Sequence, residues 1–162
     1  MKNSTTFPTK IDTYKKLNDP QFLQINALWN ENYPIELQNR FPLLLTDNQI
    51  LNHYIIYKEE IIYKEEKIIA WAVLFEINKE KRFSIIIDKL YQGKGIGHLL
   101  INQLKEEYDL FYGWVIDHNE SLLSSGDNYI SPLPFYIKNG FEILNERLDT
   151  EMIRAVKIRF KK

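Results

Sequence analysis

The sequence of 162 residues has no cysteine. That excludes disulfide scaffolds, thiolate metal sites and cysteine nucleophiles together, and it points to a reducing, cytoplasmic compartment. Long apolar runs are also missing. The longest, Ile68 to Phe75, falls well short of the roughly 20 residues that span a bilayer, and no apolar stretch follows the lysines of the polar amino terminus. Neither export nor membrane insertion is expected. No charge sign dominates: 21 Lys and Arg face 22 Asp and Glu, for a net charge of −1, without the positive field that recruits nucleic acid. His53, His98 and His118 have no metal-ligand spacing, so no metal is expected. What remains, 44% hydrophobic, 27% charged and 14% aromatic residues, is the composition of a folded protein. The length suits one domain over residues 1–162.

Residues Met1 to Thr9 read as a frayed lead-in, and Asp19-Pro20 as an N-cap with proline at the first helical position, followed by Phe22, Ile25, Leu28 and Trp29 at helical spacing. The helix should stop near Tyr33-Pro34. A helical piece is expected over Ile35 to Arg40, and Thr46-Asp47 is expected to cap another through Ile50 and Leu51. Isoleucine-rich and aromatic clusters then predict strands at Tyr54 to Tyr57, Ile61 to Tyr63, Ile68 to Ile77 and Phe83 to Ile87. Lys64 to Lys67 and Asn78 to Lys81 read as hairpin connections. Ile68 to Phe75 is apolar on both alternating faces and belongs at the centre of a sheet covered on both sides.

Glycine is scarce, and three of the six glycines fall in Gln92-Gly93-Lys94-Gly95-Ile96-Gly97, between the strand ending at Asp88 and a helix over His98 to Tyr108. The next strand is Leu110 to Ile116, which makes a parallel crossover unit. Unpaired amides at such a helix start suit an anion, most plausibly a pyrophosphate. The competing reading is a tight strand-to-helix turn with no ligand. The phosphate-loop pattern GxxxxGK[ST] is absent, and the dinucleotide pattern GxGxxG fails by one place, since His98 follows Gly97. Asp117 at the end of the next strand keeps a nicotinamide-dinucleotide-binding protein as an alternative. Downstream lie a loop over Ser124 to Asn128, a short helix from Pro132 to Asn139 closed by Gly140, and strands at Phe141 to Leu144 and Met152 to Phe160.

Gln92-x-x-Gly95-x-Gly97 resembles motif A of the GNAT superfamily of N-acetyltransferases. Phe135-Tyr136-Ile137-Lys138-Asn139-Gly140-Phe141 resembles its motif B, and Val115 to Asn119 resembles the end of its fifth strand. The resemblance implies an α/β (α+β) fold: a mixed, mostly antiparallel twisted sheet, with splayed parallel fourth and fifth strands and helices on both faces. It implies acetyl-CoA as co-substrate and direct attack by a primary amine on the thioester. The cofactor would lie along Ile85 and Ile87, with Gln92, Gly93, Lys94, Gly95, Ile96, Gly97 and Asn119 also in contact. Asn119 and Tyr136 lie further apart than the family's usual spacing, because an insertion containing Ser124-Ser125-Gly126 separates them, so Asn128 or Ser131 could replace Asn119.

By the same resemblance Tyr136 holds the general acid's position; the competing reading is a tyrosine that only packs. Arg82 to Ile87 carries no glutamate where many family members place a base. Asp117 is therefore the first candidate, with His118, Glu76, Asp88 or a water relay behind it. Glu31, Tyr33 and Glu36 fall in the segment that tends to shape the acceptor pocket, beside Trp29, while Trp71 and Trp114 read as core residues. Partners are then a small-molecule or peptide amine, with no nucleic acid and no membrane, and with a homodimer left open. A non-catalytic acyl-CoA-binding module is the other alternative.

Overall fold

The computed structural model describes residues 10–58 and 66–162. The lead-in Met1 to Thr9 and the expected strand Ile61 to Tyr63 lie outside the described residues. The elements are β1 (Asp12–Tyr14), α1 (Asp19–Asn32), a 3-10 turn (Ile35–Leu37), α2 (Phe41–Asp47), β2 (Gln49–Lys58), β3 (Lys67–Ile77) and β4 (Glu80–Ile87). They continue with a second 3-10 turn (Lys89–Tyr91), α3 (Ile96–Glu107), β5 (Leu110–Ile116), α4 (Leu133–Lys138), β6 (Glu142–Asp149) and β7 (Arg154–Lys161).

The strands form a seven-stranded sheet in the order β1-β2-β3-β4-β5-β7-β6. All neighbours are antiparallel except β4 and β5, whose parallel pairing is confined to Arg82 opposite Tyr112. This is the mixed sheet with splayed parallel strands that the resemblance implies. It sets aside the nicotinamide alternative, because a doubly wound dinucleotide fold needs several parallel strands side by side.

β3 lies centrally, and its two faces feed two cores. Ile68, Trp71, Val73 and Phe75 pack with Ile25, Leu28, Trp29 and Phe41 of α1 and α2. Ile69, Ala72 and Leu74 pack with Ile96, Leu100, Ile101 and Leu104 of α3 and with Tyr136 of α4. A bulge helps divide them: Ile56 opposes Ala70 and Tyr57 opposes Ile68, which leaves Ile69 as the extra residue.

Local chemistry moves several predicted boundaries. The N-cap of α1 is Asn18 rather than Asp19, because Asn18 accepts from the Gln21 amide at 2.8 Å while Gln21 Oε1 accepts from the Asn18 amide at 2.9 Å. Thr46 and Asp47 end α2 instead of starting a helix, and Ile50 and Leu51 belong to β2. The proline after Phe41 starts that helix earlier than the expected threonine cap. Only Ile35–Leu37 of the piece expected over Ile35 to Arg40 is helical, as a single 3-10 turn. The β3–β4 connection is just Asn78-Lys79, at φ 51° and 67°, the left-handed pair of a two-residue hairpin, so Glu80 and Lys81 fall in β4.

Candidate active site

Past the Arg82 and Tyr112 pair, β4 and β5 part, and a cavity of about 210 Å³ fills the opening. Strand alternation gives it walls from both faces of the sheet. Phe83, Ile85 and Val115 face α3 and α4, together with Pro132 and Tyr136, whereas Ser84 and Trp114 face the other way with Trp29, Tyr33 and Leu37. Tyr129, from the insertion, and Ile153, just before β7, close it. Gly113 makes room for the floor, since a Cβ there would lie 2.6 Å from Phe83 Cε1. The Asp88 amide donates to the Ile69 carbonyl at 2.8 Å, so β4 turns its even-numbered backbone groups toward β3. Those of Ile85 and Ile87 consequently face the gap. The Ile87 carbonyl is already taken, by Gln92 Nε2 at 2.9 Å.

The glycine loop is built by backbone geometry. Gly93 and Gly95 sit at φ 74° and 84°, left-handed values that favour glycine, and a Cβ at either would meet nothing within 4 Å. Gly95 is the N-cap of α3, and no side chain caps the helix. The first-turn amides after it therefore have no side-chain cap, and the helix dipole lies behind them. That arrangement fits the pyrophosphate of a coenzyme A. Gly97 differs: it is buried, and a Cβ there would lie 3.0 Å from Phe135 Cζ and 3.2 Å from Ile87 Cδ1. Its small size lets α3 pack against α4 and the end of β4. Gln92 spends its side chain on tying the loop to β4.

Tyr136 is set by the turns around it. Gly140, at φ 88°, ends α4, with hydrogen bonds from the Gly140 amide to Ile137 O and from the Phe141 amide to Tyr136 O, both 3.1 Å. Asn139 then stitches α4 to α3: its Oδ1 meets His98 Nδ1 at 2.8 Å and its carbonyl accepts from Lys105. The Tyr136 ring packs on Phe83, Phe135 and Phe141 at 5.2–5.5 Å. Among the described residues its hydroxyl makes no hydrogen bond to protein. Burial pushes that hydroxyl well above its ordinary pKa, with Tyr33 and Tyr129 adding to the rise. Burial likewise pushes Tyr33 up to about 12, a rise the Ser84 hydroxyl opposes, and raises Tyr129. All three tyrosines stay protonated at neutral pH.

The other sequence-marked residues are distributed as follows. Asp117 is not in the cavity wall. Arg147 Nη1 holds its carboxylate at 2.8 Å, and that hydrogen bond keeps its pKa below the usual range. Asn119 Oδ1 accepts from the Ser131 amide at 2.7 Å, Asn128 Nδ2 donates to Asn119 O at 2.7 Å, and Ser131 Oγ donates to Ile116 O at 2.5 Å. These three side chains staple the insertion shut, and the staple aims Tyr129 at the cavity. His118 Nδ1 accepts from the Glu120 amide at 3.1 Å. Glu76 opposes Lys81 near the start of β4, at the far end from the opening. Glu31 and Asp88 line a neighbouring hollow of about 310 Å³ with Asn32, Lys89 and Leu123. Glu36 lies exposed on the first 3-10 turn.

Trp114, Tyr129, Ser84, Leu37 and Ile153 are cavity residues that the sequence reading did not place there. Alternation along β5 could have separated Trp114 from the core positions Phe111 and Val115, and the aromatic in an unexplained insertion was a second available signal. A larger hollow of about 490 Å³, between the Asn78-Lys79 turn and Glu107 to Tyr112, contains none of the sequence-marked residues. Among the described residues no group of three His, Asp or Glu could hold a metal ion, and no helix is long and apolar enough to cross a membrane.

This split sheet, with a glycine-capped helix beside the opening, is shared with known proteins. The family model of the acetyltransferase (GNAT) domain matches residues 51–143, more than half of the chain. The chain belongs to the GNAT acetyltransferase family. An acyl-CoA N-acyltransferase from Pseudomonas aeruginosa superposes with a TM-score of 0.64 at 12% identity, over 93% of this chain and 99% of that one. PaiA N-acetyltransferase from Thermoplasma acidophilum, solved with coenzyme A, gives 0.60 at 17% identity over 94% and 99%. The ribosomal-protein-S18-alanine N-acetyltransferase from Escherichia coli gives 0.59 at 15% identity over 93% of both chains. At these identities the likeness is one of fold. No curated protein matches the chain.

Proposed function

We propose that this protein, as a single acetyltransferase domain, moves an acetyl group from acetyl-CoA to a primary amine by direct attack. The observation that carries this reading is the cavity through the sheet, with Tyr136 in its wall on one side and the uncapped start of α3 beside it. When bound, the donor supplies an activated thioester carbonyl. The first-turn amides of α3 would hold its phosphates, and the gap-facing amides of Ile85 and Ile87 its arm.

The amine nitrogen forms the new bond to the acetyl carbon as the carbon–sulfur bond breaks, and one amine proton must leave. No carboxylate lines the cavity, so that proton leaves through water. Asp117, held by Arg147 outside the wall, is poorly suited to take it. On the other side Tyr136 keeps its proton because burial disfavours the phenolate, and its O–H donates toward the departing sulfur. Water returns a proton to the Tyr136 oxygen, so that over the turnover the proton lost by the amine balances the one gained by the thiolate.

The missing carboxylate is also what favours a second reading, an acyl-CoA-binding module without turnover. Calorimetric titration with CoA, followed by incubation with acetyl-CoA and a panel of primary amines, separates the two. Thiol release with acetylated product identified by mass spectrometry supports the transferase. CoA binding with no thiol release from any amine leaves only the module, and no CoA binding removes both readings.

A further inference from the structure

We propose that the acceptor is a small primary amine carried on an apolar or aromatic body, with no second cationic centre, and that Tyr129, Trp114 and Ile153 set this preference. The inference rests on the transferase reading and deepens it. Besides the residues that face α3 and α4, the cavity is lined by Trp29, Tyr33, Leu37, Trp114, Tyr129 and Ile153. No carboxylate is among them, and the Ser84 hydroxyl is the polar side chain beside the tyrosines. A second ammonium would lose its hydration there without gaining a partner. A single amine group does not face that cost, because the ring faces can hold it as a cation before it gives up its proton.

The carboxylates flanking the insertion do not change this balance. Asp117 pairs with Arg147, Asp127 with Lys89 at 2.6 Å, and Glu120 with Arg154. Glu31 lines the neighbouring hollow rather than this one. Size points the same way: a dry apolar cavity of about 150 Å³ takes a benzene ring, and here about 210 Å³ must also admit the acetyl group. The insertion does the selecting. Tyr129 reaches the wall only because the Leu122 and Asn128 bridge and the Asn119, Asn128 and Ser131 staple fold that segment back. The Ile35 amide then anchors it by donating to the Leu122 carbonyl at 2.8 Å.

The test compares 2-phenylethylamine and 3-methylbutylamine with spermidine and 1,4-diaminobutane in the thiol-release assay. The monoamines should show at least tenfold higher kcat/KM, and Tyr129→Ala should cut that advantage at least fivefold. Ile153→Glu, which adds a carboxylate to the wall, should shift the preference toward the diamine whether or not Tyr129→Ala folds. A wild-type preference for the polyamines overturns the inference while leaving the transferase reading intact. If no amine releases thiol, the transferase reading fails, and the inference is decided by tryptophan fluorescence, since Trp29 and Trp114 line the cavity. A change with 2-phenylethylamine and none with spermidine keeps the cavity's preference as one of binding alone; the reverse, or no change with either, overturns it.

Discussion

A tyrosine whose hydroxyl opens on a cavity and makes no hydrogen bond to the described residues adds nothing to packing that the same ring as phenylalanine would not supply. Tyr136→Phe should therefore fold at least as stably as the parent. Single-turnover acetyl transfer should fall about a hundredfold, in the usual range for losing a general acid, while CoA affinity stays within about twofold. An unchanged single-turnover rate would return Tyr136 to packing. Asp117→Asn provides the contrast. Because Arg147 occupies that carboxylate and the cavity excludes it, the substitution should leave the acid limb of kcat/KM, and the shift of that limb with the acceptor's pKa, as they are in the parent. Loss of that limb would give Asp117 the base's role after all. The place of Tyr136 in the cavity wall was legible because neighbouring letters, Asn139, Gly140 and Phe141, are the ones that close α4 and hold the ring. Asp117 looked equally good because its partner lies far along the chain on β6, and no spacing rule reports an ion pair between residues so far apart. Tyr129 was missed for the same reason: its place depends on hydrogen bonds among Asn119, Asn128 and Ser131 that fold the insertion back.

At the scale of elements, the glycine loop divides into two kinds of glycine that look alike in the sequence. Gly95 needs a left-handed backbone and faces open space, whereas Gly97 has ordinary helical geometry and only a tight space for a methyl group, against Phe135 and Ile87. Gly95→Asn keeps a residue that tolerates positive φ and puts a side chain where a phosphate must approach. CoA affinity should fall at least tenfold, with a melting temperature within a few degrees of the parent. Gly97→Ala should act on stability instead, by about 1–3 kcal/mol for an overpacked helix contact, visible in urea denaturation without CoA. If Gly95→Asn binds CoA normally, the loop is only a turn; if Gly97→Ala is neutral, the contact of α3 with Phe135 and Ile87 yields more easily than packing suggests. The β3–β4 hairpin and the crossover were readable because their signals are local. The starts of α1 and α2 shifted because nearby letters, Asn18 beside Asp19 and Pro42 ahead of Thr46, compete for the same task. Hydrogen bonds to Gln21 and the proline after Phe41 decide between them.

Two cores on opposite faces of one sheet mean that β3 and β2 are buried on both sides, and a polar residue in them burdens the whole molecule. His53 on β2 is such a residue: it is 2% exposed and its Nδ1 accepts from Trp71 Nε1 at 3.0 Å. Burial pushes its pKa down to about 4, against about 6.5 in an unfolded chain. Between those values the unfolded chain binds a proton that the folded protein refuses, so stability falls as pH drops through this window and the loss levels off below it. The full effect is about 3 kcal/mol. Asp117 and Glu80 also have lowered values, Asp117 chiefly through Arg147 and Glu80 because Lys157 and Arg82 outweigh its burial. Their contributions are lost only at the acid end, below their ordinary range. Urea denaturation from pH 7 to pH 4.5 should therefore show stability falling by up to about 1.4 kcal/mol per pH unit on the acid side of 6.5. His53→Gln, which keeps a side-chain acceptor for Trp71 and removes the titrating ring, should flatten that slope. Equal slopes in the two proteins would mean that the acid sensitivity of the fold arises elsewhere than at this buried imidazole.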